Sequence, residues 1–156
     1  TRLITSALNN WTKVDANTRL LNDPLGEVLD VLGWNEYLGW YEGKPDDLDH
    51  TTWKTSFNKP LIMSEFGGGA VYGKHGDEQT RFSEEYQAGL YRHQLPSLKK
   101  TPSLAGMSPW VLMDFRSPRR FLAGVQDFHN RKGLISDKGQ KKQAFYVLQK
   151  FYREMK

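Results

Sequence analysis

The 156-residue sequence has no cysteine, so it holds no disulfide framework and no thiolate metal site, and neither redox compartment is favoured. No apolar run approaches the roughly 18 residues that a membrane helix needs, and the first residues lack the basic, apolar and small-residue layout of a secretion signal. No membrane partner is therefore expected. The chain opens at Thr1 without a methionine and enters Leu3-Ile4 almost at once, which places the expected true start upstream. His50, His75, His93 and His129 show no metal-ligand spacing. No Gly-x-Gly-x-x-Gly or Gly-x-x-x-x-Gly-Lys-Ser/Thr loop follows an apolar run. Neither a metal nor another cofactor is expected.

What is present is a core-forming composition, 38% hydrophobic and 13% aromatic, in a length typical of one domain or part of one. The net charge of +4 is spread along the chain rather than gathered in one patch. Arg116, Arg119 and Arg120 form one group, Asn130-Arg131-Lys132 another, and Lys138, Lys141, Lys142, Lys150, Arg153 and Lys156 follow the last segment. With no helix-turn-helix, zinc-finger or RNA-binding signature beside that charge, no nucleic-acid partner is expected.

Four short apolar runs read as strands: Leu3 to Leu8, Val31 to Asn35, Leu61 to Phe66, and Met107 to Phe115. Between and after them the pattern predicts helices at Asp23 to Asp30, Leu48 to Phe57, Ser83 to Lys99 and Lys141 to Met155. Phe82, Tyr86, Leu90 and Tyr91, and later Phe145, Leu148, Phe151 and Tyr152, have the spacing of an apolar helix face. Ser83 before Glu84-Glu85 supplies a hydroxyl cap and negative charge at a helix start. The resulting βαβαβαβα order predicts an α/β fold with a parallel sheet, because parallel neighbours need long crossovers. An open doubly wound sheet and part of a barrel both satisfy it.

In the third run, alternation places Leu61, Met63 and Glu65 on one side and Ile62, Ser64 and Phe66 on the other. A carboxylate at the carboxyl end of a barrel strand stands where such folds keep their active sites, whereas a structural Glu more usually lies on a helix surface. Gly67-Gly68-Gly69 behind it permits close backbone approach. Asn35 and Tyr37 share a side at the end of the second strand. A phenol and an amide there suit holding a carboxylate ionised and aimed for nucleophilic work. Trp34 reads as a core aromatic.

The set Asn35-Glu36-Tyr37-Leu38-Gly39-Trp40-Tyr41 and Pro60-Leu61-Ile62-Met63-Ser64-Glu65-Phe66-Gly67 resembles family 2 glycoside hydrolases. Trp110 with Asp114-Phe115, the stretch Asn130-Arg131-Lys132-Gly133-Leu134, and Lys142 through Lys150 extend the resemblance over nearly the whole chain, closest to the β-glucuronidase branch. It implies half of a (β/α)8 TIM barrel, strands five to eight with their helices, so that residues 1–156 form a partial catalytic domain of a larger multidomain glycosidase. It also implies Glu65 as nucleophile, Tyr37 as its hydrogen-bond partner, Asn35 as a pocket neighbour and Trp110 as an aromatic wall. Asn130 and Lys132 match the element that contacts a uronic-acid carboxylate. An ammonium and an amide on one loop suit that anion independently. The arginines after the fourth run read equally as surface residues in ordinary ion pairs.

The expected partners are a glycoside substrate, first a uronide and second a neutral β-galactoside, and the rest of the parent enzyme. Retaining hydrolysis needs two carboxyl groups about 5 to 5.5 Å apart. Glu36 follows an Asn, but alternation turns it from the side of Asn35 and Tyr37, and the family's Asn-Glu acid/base pair belongs to the fourth strand, upstream of Thr1. Asp114 and Asp127 have no supporting motif. The isolated chain is therefore expected to be inactive or nearly so; an alternative of another class makes it a non-catalytic sugar-binding piece with Trp40, Trp110 and Tyr37 as platforms and Glu65 as a hydrogen-bond acceptor. Two exposed strand edges would invite a homo-oligomer.

Overall fold

A computed structural model describes residues 2–155, so Lys156 of the basic tail lies outside them. In chain order the elements are β1 Thr5–Leu8, β2 Trp11–Lys13, β3 Thr18–Leu21, β4 Val31–Asn35, β5 Thr52–Thr55, β6 Leu61–Glu65, α1 Glu84–Lys99, β7 Leu104–Met107, β8 Phe115–Arg116, β9 His129–Asn130 and α2 Gln143–Glu154. The chain divides into two compact units, Thr1–Phe66 with His93–Pro109, and Gly67–Arg92 with Trp110–Lys156. Among the described residues, no helix is long and apolar enough to cross a membrane.

The first unit is built on an all-parallel sheet of order β1-β4-β6-β7. One face carries Leu8, Leu32, Trp34, Leu61 and Met63, each at most 4% exposed. Burying each such side chain contributes roughly 1.5–3 kcal/mol. Trp34 packs edge-on to Trp53 of β5 with ring centroids 5.3 Å apart, and the Trp53 indole N–H donates to Ser97 Oγ on α1 at 3.0 Å. The opposite face is less covered, with Thr5 and Ala7 exposed and Val31 and Ile62 partly so. Beside this sheet lies a three-stranded one of order β2-β3-β5.

That second sheet corrects the expected order. The helix expected at Leu48 to Phe57 is a 3-10 turn, Pro45–His50, followed by strand β5. Thr52, Trp53 and Thr55 are β-branched or aromatic and alternate in burial, and they pair in parallel with β3. The helix expected at Asp23 to Asp30 contracts to a 3-10 turn, Pro24–Glu27, where the Asp23 carboxylate accepts from the Leu25 N–H at 2.9 Å. The fourth strand is β7, Leu104–Met107, rather than Met107 to Phe115. Pro109 offers no N–H to continue a ladder. The segment beyond Trp110, whose peptide bond to Val111 is cis, runs instead beside residues 132–135: Val111 N–H donates to Lys132 O at 3.2 Å and Asp114 N–H to Ile135 O at 2.9 Å.

Both long helices form near the expected places. Ser83 Oγ accepts the Tyr86 N–H at 3.0 Å, the hydroxyl cap read in the sequence. The second unit holds the β8–β9 ladder, α2 and the start of α1. Gln87 of α1 donates to the carbonyls of Gly68 at 2.8 Å and Gly133 at 3.1 Å, which ties two loops to the helix.

Candidate active site

The end of β6 does not follow simple alternation. Trp34 pairs with Met63, but Asn35 pairs with Glu65, so Ser64 and Glu65 together stand opposite one residue of β4. This β-bulge takes Glu65 out of the row of Leu61 and Met63, both fully buried, and into the row of Asn35. Ser64 Oγ donates to Asn35 Oδ1 at 2.9 Å, tying the two strand ends together.

Glu65 is half-buried. Its Oε2 accepts a hydrogen bond from the Tyr37 hydroxyl at 2.9 Å. Tyr37 is held from the side by Tyr41, ring centroids 5.1 Å apart at 63°, and Tyr41 by Trp40 at 6.4 Å. These rings follow β4 in a short loop whose turn is set by Gly39 at φ 83°. Asn35, Tyr37 and Glu65 are thus brought together within the first unit.

Glu36 points into protein. It is 3% exposed, accepts from the Leu38 N–H and receives Gln94 Nε2 at 3.4 Å. Burial pushes its carboxyl up to about 8, so at neutral pH it holds its proton. Its backbone N–H donates to Glu65 O at 2.7 Å.

The second unit holds the other expected residues. Asn130 and Lys132 are 7% and 4% exposed, and Asn130 Oδ1 accepts the Lys132 N–H at 3.1 Å, closing a tight turn. Trp110 is half-buried and meets Phe115 edge-on at 6.1 Å. Asp114 is a structural ion-pair partner: its Oδ1 lies 2.8 Å from Lys142 Nζ, with both side chains fully buried, and accepts the Gly133 N–H at 2.8 Å. Lys142 also donates to Ala70 O at 2.6 Å and Arg131 O at 3.1 Å. Burial pushes the Asp114 carboxyl up and the Lys142 ammonium down, while each charge opposes the shift of the other. Asp127 is exposed and caps Gly124 N–H at 2.8 Å. Arg116 and Arg119 are exposed. Among the described residues, no group of three or more His, Asp or Glu is arranged to hold a metal ion.

Sequence reasoning missed a cleft of about 250 Å³ in the first unit, lined by Asn9, Trp11, Asn35, Tyr37, Tyr41 and Glu42. Trp11 directly after a polar Asn9-Asn10 pair was the one available signal.

A family model described as glycosyl hydrolases family 2, TIM barrel domain, matches residues 2–156. The β-glucuronidase of Sus scrofa is 31% identical over 141 residues, covering 80% of this chain and 20% of that protein. The β-glucuronidase of Rattus norvegicus is 31% identical over 154 residues, covering 88% and 22%. The chain therefore spans about a fifth of the length of these curated relatives. Among solved structures, the β-D-glucuronidase of Dictyoglomus thermophilum has a TM-score of 0.75 at 25% identity, covering 98% of this chain and 26% of that one. A β-galacturonidase from Eisenbergiella tayi bound to galacturonate has a TM-score of 0.68 at 27% identity, covering 81% and 24%.

Proposed function

Because the chain belongs to glycoside hydrolase family 2, we propose that it is the nucleophile-bearing part of a retaining β-glycosidase that cleaves uronides, with Glu65 attacking the anomeric carbon. The observation that carries this is the Tyr37 hydroxyl on Glu65 Oε2 at 2.9 Å, at the carboxyl end of a parallel strand. One Glu65 oxygen is engaged by the phenol, which sets the carboxylate's orientation and leaves Oε1 as the attacking atom.

In the first step Glu65 forms a bond to the anomeric carbon, the glycosidic C–O bond breaks, and the leaving oxygen takes a proton from a carboxylic acid. In the second, water attacks that carbon, gives its proton to the same group, and releases Glu65. Glu36 does not serve as that acid, since its carboxyl is buried against Leu38 and Gln94. Asp114 is committed to Lys142. The acid/base is supplied by parent sequence beyond these residues, and the isolated chain is inactive. The less covered sheet face and the terminal strands β1 and β7 support the reading as strands five to eight of a (β/α)8 barrel, completed by the rest of a larger enzyme. In the isolated chain those edges favour self-association.

The uronide preference rests on Asn130 and Lys132, an amide and an ammonium from one turn. It is also supported by the relatives, which are glucuronidases and a galacturonidase. The test is hydrolysis by the full-length protein of matched aryl glucuronide, galacturonide and galactoside. Glu65→Gln is expected to lose about a thousandfold or more in kcat, and a 2-fluoro uronyl fluoride is expected to label the peptide carrying Glu65. Undiminished turnover in Glu65→Gln would sink the assignment. Preference for the galactoside would sink the uronide reading.

A further inference from the structure

The cleft beside Tyr37 has a composition that the uronyl group does not suit. It pairs two aromatic rings, Trp11 and Tyr41, with two amides and the carboxylate of Glu42. The cation nearest that carboxylate is already used: Arg19 Nη1 lies 3.1 Å from Glu42 Oε1. Arg19 is 9% exposed, and its guanidinium stacks over the Trp11 ring at 4.4 Å and stands 5.9 Å from that of Trp53. The chain Glu42, Arg19, Trp11 therefore fixes the Trp11 ring as a rigid wall, while β2 is held against β3 through the pairing of Trp11 with Leu21. Tyr37 belongs to both places, lining the cleft and donating to Glu65.

An apolar face flanked by carboxylate and amide oxygens matches a neutral sugar ring, whose C–H face stacks on an aromatic ring while its hydroxyls donate at the rim. With Arg19 taken by Glu42, the cleft lining offers the carboxylate of an acidic second sugar no cationic partner. We propose that this cleft binds the leaving-group side of the substrate and selects a neutral sugar there, so that the enzyme acts on uronyl oligosaccharides. This rests on the reading of Glu65 and the uronide given above.

The test compares two substrates with the full-length protein. One is a uronyl fluoride, whose leaving group fills no cleft, and the other a uronyl disaccharide with a neutral second sugar. Trp11→Ala and the half-exposed Tyr41→Ala are each expected to lose about tenfold more in kcat/KM on the disaccharide than on the fluoride. Trp11→Phe should restore most of the difference. Equal losses on both substrates, or none on either, would overturn the inference while leaving Glu65 standing. A greater loss on a planar aryl uronide than on the disaccharide would overturn the sugar assignment. If the wild type cleaves neither substrate, both the function and this inference fall.

Discussion

The Tyr37 hydroxyl and Glu65 Oε2 lie 2.9 Å apart although 28 positions separate them in the chain. A hydrogen bond to a charged group is worth about 1.5–3 kcal/mol. Tyr37→Phe keeps the ring contact with Tyr41 and removes only that bond. In the full-length protein it is expected to lower kcat about 10- to 100-fold. Steady-state kinetics on a uronide checks this, and a change confined to KM would contradict the orienting role.

Glu36 and Gln94 predict a pH effect on stability. Burial raises the Glu36 carboxyl from the ordinary 4.5 to about 8, so the folded chain binds this proton more tightly than the unfolded one. The contribution of Glu36 is complete below about pH 4.5 and is lost as pH rises through about 8. Gln94 Oε1 has no hydrogen-bond partner, and a turned amide would accept from a protonated Glu36. Glu36→Gln carries the same neutral shape at every pH. Melting temperatures of the two proteins should converge below about pH 4.5, separate steadily as pH rises towards about 8 and keep a constant gap above it, with the variant the more stable. Parallel curves would refute the assignment.

For the buried pair of Asp114 and Lys142, removing one partner is worse than removing both. Asp114→Asn leaves an ammonium without its counter-charge and is expected to cost about 3–5 kcal/mol. The double substitution Asp114→Leu with Lys142→Met should recover much of that. Denaturant unfolding of the two variants decides it.

Gly67 sits at φ 116°, and a Cβ there would lie 2.1 Å from the Tyr91 hydroxyl oxygen, inside van der Waals contact. Tyr91 is fully buried and cannot yield. Gly67→Ala is therefore expected to lower the melting temperature by several degrees, about what 1–3 kcal/mol produces in a domain of this size. An unchanged melt would show that the loop has room to move.

Three strands of the parallel sheet were legible near their places, and the two long helices because apolar spacing and a Ser83 cap agree, but the fourth strand, Leu104–Met107, was placed too late in the chain because Trp110 to Phe115 has enough apolar residues to imitate it. The shorter crossovers were not legible. Leu48 to Phe57 has enough apolar residues to imitate a helix, and only the pairing of Thr52–Thr55 with β3, 31 or more residues earlier, decides against it. Polar hairpin strands such as Trp11–Lys13 give no periodic signal at three residues. At the site, Tyr37 and Glu65 were legible from the resemblance, whereas alternation put Glu65 in the row of Leu61 and Met63, because nothing in the sequence marks the bulge at Ser64. Glu42 and Arg19 were not, since a charged pair at 23 positions' separation resembles any surface pair until burial is known.

The extra residue at Ser64 behaves like a phase slip in a wave of period two. Everything from Leu61 to Met63 is in step with the hydrophobic core, and the slip lets the next side chain leave that rhythm without breaking the strand. Were the five residues Leu61–Glu65 to alternate strictly, Glu65 would fall back into the row of Leu61 and Met63; the slip is what keeps it opposite Asn35. The face on which Glu65 stands is thus set by the number of residues before it as much as by their type.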